Sequence, residues 1–315
     1  MTPLDLRTAG STAGRTLIIL NPHAGQEDEQ RMRRRLGGAF AARGAAFDLA
    51  ATERAGHATE LARQATLLGY RAVAVCGGDG TLAEAATGLA GTTTPLAIIP
   101  RGTANQVAQN LGIPRALEDA VDVAVFGTAS SIDLGLIRDR AFALVAGAGF
   151  DAAVMQAATR ELKERWGFGA YIYAAMKEAL TAGPRRFRIT ADGRDIEVDA
   201  VSVMVANVGE LFARWLPLRF SLAPQPTSAW HDGLLDVVIV APRNAPEIAE
   251  VLWRSASRRF TGSDRLLHFQ SHEITIDADP PIAVQADGDP AGQTPVSISV
   301  MRDAMRVIVP ASRTT

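Results

Sequence analysis

Cysteine is almost absent from the 315-residue sequence: Cys76 stands alone, so no intramolecular disulfide can form, which fits a reducing compartment. Lysine is nearly as scarce. Of 32 basic side chains only Lys163 and Lys177 are lysines, and neither follows a glycine. The G-x-x-x-x-G-K-[ST] phosphate loop is therefore excluded, and any nucleotide must be held another way. No stretch reaches the roughly 18 apolar residues of a membrane span. The opening MTPLDLRTAGSTAGRT lacks the apolar core of a secretory signal. A net charge of -2 gives no overall pull toward nucleic acid or anionic lipid. Internal repeats and low-complexity segments are missing too. The expectation is a soluble cytoplasmic protein without a nucleic-acid partner; contact with the inner membrane face and homodimerisation stay open.

What is present is ordinary in bulk, with 47% apolar and 21% charged residues. The length favours two domains, and two textures follow one another along the chain. Up to about residue 130, short apolar runs alternate with helical patterns. Leu17–Leu20, a run near Ala46–Ala50, Ala72–Cys76 and "LAIIP" at 96–100 read as strands. Residues 27–43, the stretch around Leu61, Ala65 and Leu68, the segment after Gly80, and Thr103 toward Leu111 read as helices. This alternation predicts a Rossmann-like α/β domain with a parallel sheet, over residues 1–131. Beyond it, "SSIDLGLI", "AFALVAG", "RRFRITADG", "DIEVDAVSVMVANV", "LLDVVIVAP", "HEITIDA", "IAVQADG" and "VSISVMRDAMRVIVP" predict a mainly antiparallel β domain over 132–315. Helices are expected at about 151–182 and 245–259, and the last residues could pack back on the first domain.

The stretch Gly77-Gly78-Asp79-Gly80-Thr81 joins a strand to a helix. Glycines there let the backbone turn sharply and approach a ligand. The unpaired N–H groups at the helix start suit phosphate oxygens. Thr81 can cap the helix or bond phosphate. Asp79 is the odd member: an acid beside phosphate calls for an intervening cation such as magnesium, unless it simply caps a tight turn. "NPHAG" (Asn21 to Gly25) and "PRGTAN" (Pro100 to Asn105) are two further strand-end turns. In a parallel sheet all three converge on the edge where α/β ligands bind.

"NPHAG", "TERAGHATELA", "GGDGT", "PRGTANQVAQNLGIP", "GAGFDA", "DGLLDV" and "VQADGDP" occur in an order that resembles the diacylglycerol kinase catalytic-domain family, in its soluble bacterial lipid-kinase branch related to sphingosine and ceramide kinases. The resemblance spans residues 15 to 310. It implies transfer of the γ-phosphoryl of ATP, with Mg2+, to the hydroxyl of a lipid such as diacylglycerol, in a cleft between the domains. It implies nucleotide contacts from Asn21, Pro22, Gly25, Thr52, Gly77, Gly78, Asp79, Gly80, Thr81, Gly102, Thr103 and Asn105. It makes Asp287 the base that takes the hydroxyl proton. It also implies a magnesium site at Asp232, completed by the carbonyls of Ala229 and Leu234. From the residues alone, Asp287-Gly288 reads first as a plain hairpin turn, and Asp192-Gly193 serves as the control for that reading.

Several positions depart from the family or carry weaker signals. Gln106 stands where many relatives have an acid, which shifts the burden of holding magnesium toward Asp79 and the phosphates. Asp289 replaces a glutamate, and residues 208–229 lack the expected glycine-rich character. Trp166, Phe168, Tyr171, Tyr173 and Met176 could line an acyl pocket or pack in a core. His268 and His272 lack an obvious supporting acid, and "GAGFDA" is a poor dinucleotide motif. Arg31, Arg33, Arg34 and Arg35 suit a solvated helix face, with a headgroup-binding patch as the sharper alternative. An NAD-kinase-like enzyme for a non-lipid acceptor and a non-catalytic nucleotide-binding regulator remain as alternatives.

Overall fold

The structure is a computed structural model that describes residues 12–149, 183–212, 219–224 and 230–311. The chain divides into two compact units, Met1–Ile132 with Asp303–Thr315, and Asp133–Arg302.

The first unit runs β1 (Thr16–Leu20), α1 (Glu29–Ala42), β2 (Phe47–Ala51), α2 (His57–Leu67), β3 (Ala72–Gly77), α3 (Asp79–Leu89), β4 (Leu96–Pro100), α4 (Gln106–Asn110) and α5 (Leu117–Phe126). The strands lie parallel in the order β2-β1-β3-β4. Every residue of β1 and β3 is buried, as a sheet covered on both faces requires. α1 turns Met32, Leu36, Ala39 and Phe40 inward and is capped by the Asp28 carboxylate, which accepts from the N–H groups of Gln30 and Arg31. Its outer arginines pair with acids: Arg31 and Arg35 with Glu27, and Arg33 with Glu29.

Two features depart from expectation. The helix expected from Thr103 begins only at Gln106, because Asn105 takes a left-handed backbone (φ 52°) and prolongs the turn. α5 was not anticipated. Its buried face is Ala120, Val121 and Ala124, too small to stand out as a stripe.

The second unit contains β5 (Thr128–Ile137), which enters from the first, then β6 (Arg140–Phe142), β7 (Val145–Gly149), β8 (Arg185–Ala191), β9 (Arg194–Ala200), β10 (Ser202–Ala206), β11 (Glu210–Phe212) and β12 (Arg219–Ser221). It continues with β13 (Leu235–Val240), α6 (Ala245–Ala256), β14 (Leu266–Ser271), β15 (Glu273–Asp279), β16 (Ala283–Ala286), β17 (Asp289–Gln293) and the first part of β18 (Val296–Val309). One antiparallel sheet has the order β14-β13-β10-β7-β16-β17, and β18, β15, β8 and β9 are antiparallel neighbours in another. Phe142, Phe187, Ile189, Val203, Val237, Ile274 and Ile298, drawn from both sheets, share one core. β8 and β15 alternate buried and outward residues with the strand period of two.

The run "DIEVDAVSVMVANV" is two strands rather than one. β9 pairs with β8, whereas β10 pairs with β7 and β13, so the chain changes sheets at Val201. "AFALVAG" is likewise broken, at Ala143 and Leu144. β18 leaves the second unit at Arg302, and Val307 then lies parallel beside Leu96 of β4.

The close packing of α2 on α3 depends on Gly88. A Cβ there would lie 2.6 Å from the Thr59 carbonyl oxygen and 2.8 Å from the Ala62 Cβ. In a free helix Gly→Ala gains about 1 kcal/mol. Here the overlap should reverse the sign, so Gly88→Ala is expected to lower stability by about 1–2 kcal/mol in urea unfolding. An unchanged or raised midpoint would contradict this packing.

Candidate functional site

In the first unit the three turns sit side by side because backbone hydrogen bonds continue the sheet one residue past each strand. Thr52 N–H donates to the Leu20 carbonyl (2.9 Å), Asn21 N–H to Cys76 (3.0 Å), and Arg101 N–H to Gly77 (2.9 Å). Side chains then tie turn to turn. Asn21 Nδ2 donates to Thr81 Oγ1 at 2.8 Å, while Asn21 Oδ1 accepts from His23 N–H at 2.9 Å. Asn105 closes the third turn on itself: its Oδ1 accepts from Gly102 N–H and its Nδ2 donates to the Gly102 carbonyl, both at 2.8 Å. Gly78 and Gly102 meet backbone to backbone, since a Cβ on Gly102 would lie 2.5 Å from the Gly78 Cα. Gly102 has no room for a side chain, and a Cβ on Gly78 would lie a tight 3.2 Å from the Gly102 Cα. A narrow recess lies against Gly77, Gly78, Asp79 and Asn105, backed by the buried side chains of Val75, Leu82, Ile98 and Ala108.

Helix α3 holds its neighbours by their N-termini. The backbone N–H of Val107, in the first turn of α4, donates to Asp79 Oδ1 at 3.3 Å. On the other side, Ala58 N–H at the start of α2 donates to Glu84 Oε2 (3.1 Å), and Thr59 Oγ1 donates to the Glu84 carbonyl (2.7 Å). Neither α2 nor α4 has a side-chain cap of its own. The acids of α3 therefore supply the acceptors those helix starts lack, and carboxylates suit the positive ends of helices. Asp79 thus follows the capping alternative; its carboxylate faces amides. Thr81 does not cap α3, because its hydroxyl meets Asn21. Thr103 and Gly25 are exposed, and Pro22 and Thr52 are half-buried at the ends of β1 and β2. Cys76 lies fully buried behind the turns, and burial pushes its thiol up to about 12.

The second unit clamps Asp287. This residue sits in the β16–β17 turn with φ 49°. Its carboxylate accepts three backbone N–H groups, from Ala143 (2.7 Å), Leu144 (2.9 Å) and Val145 (3.0 Å). Its own N–H donates to the Val145 carbonyl (3.0 Å). The break between β6 and β7 has its cause here: those amides turn away from the ladder to reach the carboxylate. Asn207, fully buried, braces the same segment. Its Nδ2 donates to the carbonyls of Asp133 (2.8 Å) and Ala143 (3.3 Å), and its backbone N–H donates to Leu144. Gln285 Oε1 accepts from Gly288 N–H at 2.7 Å. Asp289 pairs with Arg140 at 2.6 Å.

Asp232 and Leu234 lie in the turn before β13, and Ala229 falls outside the described residues. Asp232 Oδ1 accepts from Leu234 N–H (3.0 Å). Burial raises its carboxyl above the ordinary value, and the charges of Asp236 and Asp133 push the same way. Among the described residues no group of three His, Cys, Asp or Glu side chains is arranged to hold a metal. A cation here would need backbone carbonyls beside the one carboxylate. That oxygen donor set, in a negatively charged neighbourhood, fits Mg2+ or Ca2+.

Both histidines have acid partners, contrary to expectation: His268 Nε2 lies 2.7 Å from Asp236 Oδ1, and His272 Nδ1 lies 3.3 Å from Asp192 Oδ2. Asp192 is accordingly more than a bare turn, since its carboxylate also accepts the N–H groups of His272 and Glu273. The candidate acyl-pocket residues Trp166, Phe168, Tyr171, Tyr173 and Met176 lie outside the described residues, as does the second half of "GAGFDA". No helix among the described residues is long and apolar enough to cross a membrane.

Two family models match: the diacylglycerol kinase catalytic domain over residues 15–137, and the YegS C-terminal NAD kinase beta sandwich-like domain over residues 144–309. The chain is 32% identical over 261 residues to a Mycobacterium tuberculosis diacylglycerol kinase, covering 80% of this chain and 81% of that protein. It is 26% identical over 304 residues to the Bacillus subtilis diacylglycerol kinase, covering 95% and 97%. An uncharacterized Synechocystis protein is 31% identical over 238 residues, and the chain spans about half its length (54%). A solved structure from Bacillus anthracis, proposed to be a diacylglycerol kinase, superposes with a TM-score of 0.80 at 26% identity, covering 96% of this chain and 97% of that one. The chain belongs to the diacylglycerol kinase catalytic-domain family, with a YegS-type C-terminal domain, and stands among the diacylglycerol kinase and YegS-like lipid kinases.

Asp79 gives the site a pH signature. Burial raises its carboxyl above the ordinary value, against the opposing pull of amides at the start of α4. The folded chain therefore holds this proton more tightly than the unfolded chain. Stability should fall as pH rises from the ordinary carboxylate value through the raised native one. Asp79→Asn keeps an oxygen for Val107 N–H and removes the titration. Urea unfolding from about pH 3 to about pH 7 should show wild type losing stability relative to Asp79→Asn through that window. A difference constant with pH would contradict the burial of this charge.

Proposed function

We propose that the protein transfers the γ-phosphoryl group of ATP to the hydroxyl of a membrane lipid, diacylglycerol or a close relative. The observation that carries this reading is the mutual locking of three strand-end turns, through Asn21 on Thr81 and Gly78 against Gly102, around the start of α3. A triphosphate laid against them would meet the positive N-terminal end of α3 and the small-residue surface at Gly78 and Gly102. With no phosphate-loop lysine, the polyphosphate is held mainly by backbone amides and by Asn21, Thr81 and Asn105. Pro22, Gly25, Thr52 and Thr103 complete the rim of that surface.

Phosphoryl transfer asks a protein for positioning and charge stabilisation more than covalent chemistry. In the proposed step the lipid oxygen forms a bond to the γ-phosphorus and the bond to the β,γ-bridging oxygen breaks. ADP departs, and the hydroxyl proton passes to the Asp287 carboxylate and then to water. The three amides around Asp287 fix its orientation, which suits a base that must point one lone pair at an incoming hydroxyl. Magnesium, when bound with the nucleotide, neutralises charge on the phosphates. A second ion at Asp232, with the carbonyls of Ala229 and Leu234, would relieve the repulsion among Asp232, Asp236 and Asp133. The acceptor's membrane residence implies peripheral contact with a lipid surface.

The test is mass spectrometry of a total lipid extract incubated with enzyme, ATP and magnesium, for wild type and Asp287→Asn. Wild type should add a phosphoryl group to a lipid, and Asp287→Asn should lower the rate by about 10²–10⁴-fold while nucleotide still binds. Because the asparagine amide would face N–H donors at Ala143 or Leu144, circular dichroism must show the variant folded. A near wild-type rate would remove Asp287 from the mechanism. Phosphorylation of NAD without any lipid product would overturn the lipid acceptor.

A further inference from the structure

The buried polar groups of the first unit include one that neither the turns' glycines nor the capping acids explain. Arg101, the second residue of "PRGTAN", sends its side chain away from its own turn and under the first one. Its Nη1 donates to the Asn21 carbonyl at 3.0 Å, and its Nη2 donates to the Glu27 carbonyl. These two carbonyls stand near opposite ends of the segment between β1 and α1. Between them, Gly25 (φ 72°) folds down onto the side chain: a Cβ there would lie 3.0 Å from Arg101 Cγ and 3.3 Å from Nε. The Nε–H itself is buried without a hydrogen-bond partner. A fold leaves such a donor unsatisfied only at a cost, so the arrangement calls for a reason.

We propose that Arg101 is a positioning residue for nucleotide binding. It braces the first turn against the third and so holds Asn21 in line with Thr81. The inference rests on the nucleotide-binding role given to these turns above. Its logic is geometric. The Asn21 backbone is pinned by Cys76 on one side and by the Arg101 guanidinium on the other, leaving its side chain a fixed direction toward Thr81 Oγ1. Only a planar fork spans two carbonyls in this way, and a lysine ammonium is a single point of attachment. Both hydrogen-bond partners are neutral carbonyls, so the positive charge stays beside the turns, where it complements a polyphosphate. The scarcity of lysine in this chain gives that charge added weight.

Two variants, Arg101→Met and Arg101→Lys, separate the brace from the charge. Hydrogen exchange of amides 23–28 in the ligand-free protein reports the brace directly. Calorimetric titration with a non-hydrolysable ATP analogue and steady-state kinetics report its consequence. Arg101→Met should exchange faster across 23–28 with β3 unchanged, bind the analogue about tenfold more weakly, and raise KM for ATP while kcat stays near wild type. Arg101→Lys should recover less than half of either loss. Should Arg101→Met fail to fold, Arg101→Lys carries the same measurements. Wild-type exchange and affinity in Arg101→Met would overturn the proposal, and so would full recovery in Arg101→Lys, which would leave charge alone as the cause. A wild-type protein that binds no nucleotide would overturn the functional reading instead, while exchange at 23–28 would still decide the brace.

Discussion

Everything in the first unit depends on helix α3 lending acceptors to its neighbours. Asp79 meets the start of α4 and Glu84 meets the start of α2, and neither of those helices brings a cap of its own. A buried helix start with unpaired amides costs free energy comparable to several lost hydrogen bonds. Satisfying two such starts from one helix fixes α2, α3 and α4 as a group. The backbone contact of Gly78 with Gly102 then follows, because no side chain stands between the turns that this group positions. The acid in the second turn, which looked misplaced beside a phosphate, turns its carboxylate to the amides at the start of α4.

The second unit uses the reverse arrangement. There, three backbone amides converge on one carboxylate, and the strand that supplies them is interrupted to do so. Asn207 and Gln285 hold the flanking segments from beneath. In each unit, then, a carboxylate and a set of amides organise the chain where strands end, and such sites have lower tolerance for changed length than for changed hydrophobic volume. Replacing aspartate by glutamate at 79 or 287 would shift the carboxylate by a methylene relative to the amides it now meets.

Much of the architecture was legible from periodicity. The fully apolar runs of β1 and β3 and the alternation in β8 and β15 announce parallel and antiparallel sheets directly. The three turns were legible through their glycines. What could not be read were contacts between residues distant in sequence. Asp79 reaches residue 107, Asp287 reaches residues 143 to 145, and Arg101 reaches residues 21 and 27. The same limit explains the histidines, whose acid partners lie 32 and 80 residues away. α5 carries little signal for a different reason: alanine packs a helix face without marking it. Arg101 did leave a trace, as an arginine inside an otherwise small-residue motif.

The most direct measurement is amide chemical-shift mapping of the labelled protein as magnesium and ATP are added. The account predicts shifts concentrated at Asn21 to Gly25, Gly77 to Thr81 and Gly102 to Asn105, with residues 67–71 at the opposite ends of the strands unmoved. Shifts absent from these turns, or gathered on any other surface of the first unit, would contradict it.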